Sequence, residues 1–509
     1  MTFENDAQRV VDHLARYAAA SVAKEQPVVR LEPLAELVQR LGLDGFARDG
    51  GLAGKALDEF LDRYLAASTR LHHPAHLAHQ VSVPHYAGAL AALIDGFTNN
   101  PMAIYEMGPA AAAIECFVVN WMLEKIGWTP APLPMDGRVP RRTGCASVVK
   151  PRTGENSRAQ DAQDRPLPPA TAPAGRHGAG VLTHGGSLAN LTALTAARSR
   201  EAPEVWNEGN PGDLALLAPA QSHYSVARAA GILGIGAQGV YELEVDDRGV
   251  VLPDRLPQAW QRALDDGRKP IALVANACST AVGLYDPLRE IGAFCREQGV
   301  WFHVDGAHGA SALLSDRHRH LLAGVELADS LIWDAHKMLR APPLCAAVLV
   351  RDHRDLDRAF HEEASYLFHD KEQPGVDLIH RTVECTKAAL GLKVFCVLGA
   401  LGEAGLAEYL EARVALAREA YDLLQAQPDF HCPVAPESNI LCFRYRDGNA
   451  EHLHLRDQLI ARGTFHLSSV ALNGCWHLRM VFMNPHTTLG EVRELLDAIR
   501  DLAGSQEVG

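Results

Sequence analysis

The segments VWFHVDGAHGA (300–310) and SLIWDAHKMLRAP (330–342) decide the fold class. Each begins with an apolar run of strand length; the first run ends on Asp305, and Lys337 follows the second by a few residues. Runs that are apolar throughout are typical of strands buried on both faces, as in a parallel sheet covered by helices. Open sheets of this kind bind ligands at the carboxyl ends of their strands, so these two side chains mark a candidate site.

Similar runs recur along the chain and alternate with helical patterns. The strand candidates lie at 213–219, 271–277, 300–305, 329–334, 345–351, 439–445 and 477–483. Apolar residues at three- and four-residue spacing predict helices over 1–90, around 110–128 and over 489–504. Strands that alternate with helices in this way favour an α/β fold.

The pattern predicts three parts. A helical N-terminal segment covers 1–90, a large α/β domain with a mainly parallel sheet covers 91–385, and a small C-terminal α/β domain covers 386–509. Residues 134–178 are rich in Pro, Arg, Gly and Ala and have almost no large apolar side chains. Such a composition cannot bury enough surface to offset its ordering entropy, so we interpret this stretch as a mobile surface insertion.

Composition and charge narrow the function classes. The 509 residues are 47% hydrophobic and carry a net charge of −14 without a sustained basic stretch, which argues against nucleic acid or an anionic membrane surface as a partner. No apolar run reaches the roughly 18–20 residues that cross a bilayer. Ten cysteines stand singly, without a CxxC pair, which is typical of reduced thiols in a cytoplasmic protein.

Two further segments carry candidate ligand-binding residues. In THGGSLANLTALTAARS (183–199) a turn containing Gly186 and Ser187 opens directly into a helix, and a helix N-terminus offers free N–H groups to a phosphate. Many helices begin in this way, so the turn alone is a weak signal. In QSHYSVARAAG (221–231), His223 lies between a strand and a helix, where its ring could stack on a flat cofactor or be an ordinary loop histidine.

Asp305 and Lys337 are the stronger signal. A buried carboxylate at a strand end needs a cationic partner or strong hydrogen bonds, and a protonated pyridine nitrogen would serve. The small residues Gly306 and Ala307 would leave room for a flat ring beside the strand. A lone lysine is nearly always a solvated charge, but Lys337 follows Asp305 by 32 residues and each lies just past a strand.

Taken together, these segments resemble the group II pyridoxal-phosphate-dependent amino-acid decarboxylases, which include glutamate, cysteine-sulfinate, aromatic-amino-acid and diaminobutyrate decarboxylases. The resemblance runs from HHPAHLAHQ (72–80) and NNPMAIYEMGP (99–109), through EASYLF (363–368), to LRMVFMNP (478–485). It implies the fold of pyridoxal-phosphate (PLP) transferases of the aspartate-aminotransferase type (fold type I), with PLP as cofactor. It also implies a homodimer with active sites at the interface, in which the N-terminal helices embrace the partner.

The resemblance implies a role for each matched residue. Lys337 would hold the cofactor as a Schiff base and Asp305 would pair with its pyridinium nitrogen. His223 and Ala307 would pack against opposite faces of the ring, which makes Lys337, His223 and Asp305 the candidate catalytic residues. The remaining contacts would be Gly186 and Ser187 for the phosphate, Asn276 and His336 beside the cofactor, and Gln80 and Arg479 for the substrate.

The implied reaction is α-decarboxylation of an L-amino acid to CO₂ and an amine. The segment YEMGP (105–109), with Gln80 and Arg479, favours a small or acidic substrate such as glutamate, aspartate or cysteine sulfinate. Diamino and aromatic amino acids remain alternatives, and Arg479 could instead be a structural ion-pair partner. Four histidines between 72 and 79 have helix-like spacing, but chance explains them better than a metal site does.

Two departures from the family pattern bear on the product. Many members carry a tyrosine on a mobile loop that protonates Cα, whereas YLFHDKEQPGVDLIHRTVECTK (366–387) has none beyond Tyr366 and offers only His369 or His380. This leaves an aldehyde-forming oxidative deaminase as an alternative. A catalytically silent homologue is a third alternative, which the presence of Lys337, Asp305 and His223 opposes. In ANACSTAVG (275–283), Asn276 and Cys278 replace a Thr- and Gly-rich run, and we interpret Cys278 as a small buried residue.

Overall fold

The computed structural model describes residues 2–132, 176–360, 375–446 and 451–506. The insertion predicted over 134–178 lies outside the described residues except for its last three positions. Tyr366 and His369 also lie outside them.

Helices occupy most of the first 126 residues, as their apolar spacing predicts. Glu4 and Asp6 lie in the first turn of the first helix, where negative charge interacts favourably with the helix dipole. The helices are α1 (Phe3–Val22), α2 (Leu34–Leu41), α3 (Leu43–Asp49), α4 (Lys55–Ala67), α5 (Tyr86–Thr98) and α6 (Pro109–Ile126).

A seven-stranded sheet forms the centre of the large α/β part. Its strands are β1 (Ala179–Thr183), β2 (Leu214–Pro219), β3 (Val240–Leu243), β4 (Lys269–Asn276), β5 (Trp301–Asp305), β6 (Ser330–Trp333) and β7 (Ala346–Val350). The spatial order is β1-β7-β6-β5-β4-β2-β3, and only β7 runs antiparallel to its neighbours. Strands β1, β2, β5, β6 and β7 are buried along their whole length, as expected when helices cover both faces.

Helices cover both faces of this sheet. Their bounds are α7 (Gly186–Glu201), α8 (Val205–Glu208), α9 (Ser225–Ile232), α10 (Leu256–Asp265), α11 (Leu288–Gln298) and α12 (His353–Ala359). Helix α7 lies across the sheet and contacts β4, β5, β6 and β7. Its N-terminus lies close to the turn that follows β6 and contains Lys337, since a Cβ on Gly186 would be 2.7 Å from Asp334 Oδ2.

A second, four-stranded antiparallel sheet lies in the C-terminal part. Its strands are β8 (Phe430–His431), β9 (Ile440–Tyr445), β10 (Ser468–Leu472) and β11 (Cys475–Val481), in the order β10-β11-β9-β8. It packs with α13 (Leu390–Gln425), α14 (Glu451–Arg462) and α15 (Leu489–Gln506). The N-terminal segment joins this sheet, since Leu77 N donates to His466 O at 2.9 Å and Val481 N donates to Leu77 O at 2.8 Å.

Helix α13 links the two parts. Leu390, Val394 and Leu406 lie in the core of the large sheet, whereas Ala417 and Leu424 lie in the core of the small one. By length and composition alone α13 is apolar enough to cross a membrane, which the sequence did not lead us to expect, and 28% of its apolar window is buried. A core helix has the same composition, so this feature does not place the protein in a membrane.

The seven strands predicted from apolar runs are all present, within two residues at each end. Four short strands were not predicted. Strand β1 contains Gly180, strand β8 has two residues, and β3 and β10 are polar enough to resemble loops. The boundaries predicted at residues 90 and 385 stay predictions.

Candidate active site

The carboxyl ends of β4, β5 and β6 lie side by side. In the sheet register Asn276 is opposite Asp305, and Asp305 is opposite Ile332. A cavity of about 260 Å³ opens at this edge of the sheet. It is lined by His184, Gly185, Gly186, Ser187, Asn190, His223, Cys278, Thr280, Asp305, Ala307, His308, Ile332, Asp334, His336, Lys337 and Leu344.

The cavity brings together most of the residues singled out in the sequence. These are Gly186, Ser187, His223, Asp305, Ala307, His336 and Lys337. Three of the predicted residues do not line it: Asn276 is buried beside Asp305, while Gln80 and Arg479 lie further back.

Asp305 is a buried carboxylate without a counter-ion. Its side chain is 7% exposed; Oδ1 accepts from Ala307 N at 3.2 Å and Oδ2 accepts from Asn190 Nδ2 at 3.0 Å. Within the described ranges, Asp305 forms no ion pair: no side-chain nitrogen of a lysine, arginine or histidine lies within 4.0 Å of its carboxylate oxygens. A buried carboxylate that faces a cavity and lacks an ion-pair partner is suited to binding a cationic atom of a ligand.

Asn190 holds this carboxylate in place. Its Nδ2 donates one hydrogen bond to Asp305 Oδ2 and a second, of 2.8 Å, to Ser225 Oγ. Its Oδ1 lies 2.8 Å from Nε2 of the buried His303. Because an amide oxygen only accepts, His303 Nε2 is the donor, and every polar atom of Asn190 is used.

The network continues behind the strand. His303 Nδ1 lies 2.7 Å from Ser330 Oγ, which itself accepts from Trp301 Nε1 at 2.8 Å. The serine hydroxyl therefore donates to His303 Nδ1, and the imidazole is neutral. Burial lowers the pKa of His303 to about 4, although the nearby Asp305 raises it in part. The neutral His303, with a hydrogen bond on each ring nitrogen, thus holds Asn190 in place.

His223 is also held in one tautomer. Ser225 N donates to His223 Nδ1 at 3.3 Å, and Ser225 Oγ lies 2.7 Å from the same atom. Nδ1 is therefore the acceptor, and Nε2 carries the proton. Burial lowers the pKa of His223, with Asp305 acting in the opposite sense, so the flat ring is neutral at neutral pH.

Lys337 follows β6 in a tight turn, with Lys337 N bonded to Asp334 O at 3.1 Å. Its Nζ lies 3.3 Å from Asp334 Oδ2, and His336 Nε2 lies 3.6 Å from the same oxygen. The other oxygen, Asp334 Oδ1, is buried and has no hydrogen-bond partner among the described atoms. Lys337 thus projects its amine into the cavity, with the Asp334 carboxylate close to its tip.

The turn before α7 has the geometry of an anion site. Gly185 has a φ of +104°, which favours glycine, and the first helical hydrogen bonds run from Leu188 N and Ala189 N to Gly185 O at 3.1 Å. The N–H groups of Gly186 and Ser187 precede these bonds and lie at the positive end of the helix dipole. A Cβ on Gly186 would lie 2.7 Å from Asp334 Oδ2, so a larger residue there would require the turn or this carboxylate to shift.

These features fit pyridoxal phosphate. The cavity presents a carboxylate without a counter-ion for the ring nitrogen, a lysine amine for the aldehyde and a helix N-terminus for the phosphate. The neutral His223 and the small Ala307 both line the space between them.

Arg479 is placed differently from what a direct substrate contact requires. It is 6% exposed, and its guanidinium donates to Thr280 O at 2.7 Å, Ala281 O at 3.1 Å and Ser468 Oγ at 3.1 Å. Burial lowers its pKa. Because Thr280 lines the cavity, Arg479 lies directly behind the cavity wall. Gln80 is partly exposed, and its Nε2 is buried without a partner in the described part of the chain.

Some site residues were missed in the sequence, although weak signals existed. Asn190 lies one helical turn after Gly186, on the same face of α7. His303 precedes Asp305 by two residues on the same strand face. Asp334 ends the second apolar run. Cys278, singled out as a small buried residue, lines the cavity, and burial raises the pKa of its thiol to about 12.

The histidine segment near residue 76 shows ring contacts. His76 and His79 pack edge-on against His466, with ring centroids 5.0 and 5.4 Å apart. The described residues contain no group of three or more potential ligands that could hold a metal ion.

Comparison with known proteins agrees with the geometry. Residues 167–446, more than half of the chain, match the family model described as "Pyridoxal-dependent decarboxylase conserved domain". Acidic amino acid decarboxylase GADL1 of Mus musculus is 28% identical over 499 residues, which cover 94% of this chain and 82% of the relative. Cysteine sulfinic acid decarboxylase of Mus musculus is 35% identical over 271 residues, covering 52% of this chain and 55% of the relative.

Solved structures extend the similarity to the whole fold. The apo form of mouse CSAD superposes with a TM-score of 0.81 at 25% identity, covering 97% of this chain and 98% of that one. Oryza sativa TDC with PLP and tryptamine has a TM-score of 0.81 at 22% identity, covering 99% and 98% of the two chains. The predicted fold class is confirmed, PLP is the cofactor, and the chain belongs to the pyridoxal-dependent decarboxylase family.

Proposed function

We propose that the protein removes the α-carboxyl group of a small acidic L-amino acid and releases CO₂ and an amine. The observation that carries the proposal is the convergence of Lys337, Asp305 and the α7 N-terminus in one cavity. Family membership supports PLP-dependent decarboxylation. The substrate class rests on the names of relatives that act on acidic amino acids, cysteine sulfinate and, in Metarhizium robertsii, L-aspartate (35% identical over 273 residues).

Each side chain of the cavity has a defined task in this proposal. When bound, PLP accepts into its ring the electron pair that the loss of CO₂ releases. Lys337 would hold the cofactor through its side-chain amine. Asp305, kept in position by Asn190, holds a proton on the ring nitrogen by charge pairing. His223 presents a neutral ring face, which excludes water without adding charge.

The phosphate and the edge of the ring are held by backbone and small residues. Gly186 and Ser187 donate to the phosphate from the start of α7, and the helix dipole favours the negative charge. Asn276, whose Nδ2 is buried without a partner in the described ranges, hydrogen-bonds beside the cofactor. Ala307 and His223 would pack against the cofactor ring, and His336 would lie beside Lys337 at its edge.

The acidic side chain of the substrate would meet Gln80 and the wall that Arg479 supports. Gln80 Nε2 has no acceptor among the described residues. Arg479 orients the carbonyls of Thr280 and Ala281 and adds a buried positive charge behind them. A positive charge directly behind the cavity wall attracts a carboxylate in the cavity, because the dielectric constant of the wall is low. Arg479 therefore contributes to substrate choice through electrostatics and wall geometry.

The protein is proposed to act as a homodimer. Helix α5 exposes five large apolar side chains on one face, Tyr86, Leu90, Leu93, Ile94 and Phe97, each at least 48% exposed. Phe3 of α1 extends this apolar surface, since its ring centroid lies 4.6 Å from that of Phe97. Soluble monomers rarely expose a continuous apolar surface of this kind. A second copy of the chain is the proposed occupant, with residues 1–90 acting as the dimerisation segment.

Sedimentation tests the dimer. Leu90→Asp with Ile94→Asp should convert a dimer into a monomer, whereas Leu264→Asp, at an exposed position of α10 outside residues 1–90, should leave the dimer intact. A cytoplasmic location is also proposed, and its support is that the nine cysteines in the described ranges are all free thiols.

The reaction is tested by incubating the purified holoenzyme with a panel of L-amino acids while CO₂, amine, aldehyde and oxygen are followed. The proposal predicts CO₂ and an amine from aspartate, glutamate or cysteine sulfinate, with no oxygen uptake. Turnover of only aromatic or diamino substrates would overturn the substrate class. Aldehyde with ammonia and peroxide would move the chemistry to oxidative deamination.

A further inference from the structure

A second cavity lies at the opposite edge of the seven-stranded sheet. It has a volume of about 240 Å³ and is lined at the amino ends of the central strands, by Val300 and Phe302 of the β5 region and by Asp329 just before β6. The active-site cavity lies at the carboxyl ends of the same strands. At about 3.3 Å per residue, β5 alone separates the two edges by about 13 Å.

Arginine dominates the lining of this second cavity. Four arginines contribute to it, together with a single carboxylate, Asp329; the arginines are Arg176, Arg200, Arg296 and Arg351. The other lining residues are apolar or small, apart from Cys295. Burial raises the pKa of this cysteine well above its ordinary value, so its thiol carries no charge.

The carboxylate inside the cavity is already satisfied. Asp329 Oδ1 accepts from Arg200 Nη1 at 3.0 Å and from Arg351 Nη2 at 2.8 Å, and Oδ2 accepts from Phe302 N at 2.9 Å. Burial alone would raise the pKa of Asp329, but the hydrogen bonds and charge of Arg200 outweigh it, and the pKa lies below its ordinary value. Asp329 therefore fixes Arg200 and Arg351 in place without using up their donors.

Three further acids lie outside the cavity, so that with Asp329 the carboxylates equal the four arginines in number. Glu201 is 2.8 Å from Arg200 Nε, Asp352 is 3.1 Å from Arg176 Nε, and Asp355 is 3.9 Å from Arg200 Nη1. These contacts hold the arginines from behind. Each guanidinium carries five N–H donors, so such contacts leave others free to face the cavity.

Two observations point to a missing acceptor. Arg351 Nε is buried and has no hydrogen-bond partner in the described part of the chain. The side chain of Arg296 makes no ion pair or hydrogen bond with any described residue, although it borders the cavity. Arg200 is held by a further contact. The centroid of the Trp301 ring lies 4.2 Å from its guanidinium carbon, which fixes the orientation of this guanidinium. Asp329 thus fixes Arg200 and Arg351 beside a space in which the described residues offer no free acceptor, and the exposed Arg296 borders the same space.

We propose that this cavity binds a phosphate group, as inorganic phosphate or as a small phosphate monoester. Guanidinium groups that approach from several sides match the tetrahedral oxygens of a phosphate through charge-assisted, bidentate hydrogen bonds. The cavity is larger than one phosphate group and leaves room for a small substituent. The site is separate from the cofactor phosphate site, because Arg200 ends α7 whereas Gly186 and Ser187 begin it.

Calorimetric titration of the holoenzyme with inorganic phosphate, at constant ionic strength, tests the proposal. The cofactor occupies its own phosphate site, so any further binding reports on the second cavity. We expect one phosphate per chain, with affinity reduced at least about tenfold in Arg296→Gln. Arg289→Gln is the matched control, since Arg289 is an exposed arginine of the same helix paired with Glu326 at 3.5 Å and does not line the cavity.

A second variant and two other ligands complete the titration experiment. Arg351→Gln should also weaken binding, but it removes a partner of the buried Asp329; if this variant does not fold, the exposed Arg296 still carries the test. Glycerol phosphate compared with inorganic phosphate distinguishes a monoester site from a free-phosphate site. No binding up to about 10 mM phosphate, a dissociation constant of about 10 mM or weaker, would show that the arginines form only a structural ion-pair network. Equal binding to Arg296→Gln, or tighter binding of succinate than of phosphate, would also overturn the proposal.

Discussion

Asn190 donates a 3.0 Å hydrogen bond to Asp305, and this contact joins α7 to β5 directly beneath the active-site cavity. The second N–H of the Asn190 amide donates to Ser225 Oγ, and its oxygen accepts from His303 Nε2. The carboxylate that we propose pairs with the cofactor ring is thus held by an amide that cannot turn without breaking two other hydrogen bonds. The start of the same helix is the proposed phosphate site, so the two proposed contacts would share one support.

We expect Asn190→Ala to weaken cofactor binding by about tenfold or more. The substitution leaves Asp305 Oδ2 without its donor, and removing one partner of a buried charged group costs about 1–3 kcal/mol. Titration of the cofactor-free protein with PLP, followed by visible absorbance, measures the effect. Asn207→Ala, at an exposed position on α8, should bind PLP like the wild type. Unchanged affinity in Asn190→Ala would remove Asn190 from the site.

Gly186→Ala tests the close approach of the α7 turn to the Lys337 turn. The new Cβ would lie 2.7 Å from Asp334 Oδ2, so the turn or the carboxylate must shift. We expect weaker PLP binding and lower activity, without a loss of helix content by circular dichroism. Gly231→Ala is the control, because a Cβ there meets nothing within 4 Å. Equal effects of the two substitutions would show that the turn does not depend on glycine at position 186.

A buried ion pair supports β1, the strand that precedes the turn at Gly185 and Gly186. Lys387 Nζ donates to Glu115 Oε2 at 2.9 Å, and Glu115 Oε1 accepts from Leu182 N of β1 at 2.9 Å; both charged side chains are fully buried. Lys387→Met should lower the free energy of unfolding by about 3–5 kcal/mol, because it leaves a buried carboxylate unpaired.

Urea unfolding measures this loss. The double variant Glu115→Gln with Lys387→Met should recover part of it, since no buried charge then remains. Lys55→Met, which removes an exposed partner of Glu59, should change stability by about 0.5 kcal/mol or less. A single Lys387→Met variant as stable as the wild type would contradict the role of the pair.

The buried histidines predict how stability depends on pH. Burial lowers the pKa of His303 to about 4 and that of His308 and His76 to about 3, so each binds protons more readily in the unfolded chain. Their contribution is present above pH 6.5 and is lost as the pH falls towards the folded-state pKa, by up to about 1.4 kcal/mol per pH unit for each group. Asp286, whose pKa burial raises to about 6, has the opposite slope.

The free energy of unfolding should therefore fall between pH 6.5 and 4.5. Urea unfolding at several pH values measures the slope, and His303→Gln should reduce it because one of the histidines with a lowered pKa no longer titrates. A wild-type stability that is constant or rises over this interval would contradict the buried, neutral histidines.

The central part of the fold follows from local composition. Long apolar runs predict the strands from β4 to β7, because strands covered on both faces have no polar side to interrupt them. Strand β1 contains Gly180 and β10 is half polar, so neither has such a run. Their place in the sheets depends on partners distant in sequence, which apolar spacing does not reveal.

The site was predictable where chemistry marks a single residue. A carboxylate and a lysine just past buried strands identify Asp305 and Lys337. Asn190 and His303 were not predictable, because their roles depend on how α7 lies over β5. Arg479 shows the opposite case: the resemblance suggests a substrate contact, whereas packing engages its guanidinium with Thr280, Ala281 and Ser468. The missing loop tyrosine stays untested, since Tyr366 and His369 lie outside the described residues, and His380 does not line the cavity.

The visible spectrum of Lys337→Ala tests the central claim most directly. The wild-type protein reconstituted with PLP should be yellow, should keep its colour through gel filtration and should release CO₂ from an amino acid. Lys337→Ala should lose the colour and the activity, while Lys55→Ala, at an exposed lysine, should keep both. A wild-type protein that stays colourless with PLP, or a Lys337→Ala variant that keeps the visible band, would contradict the account.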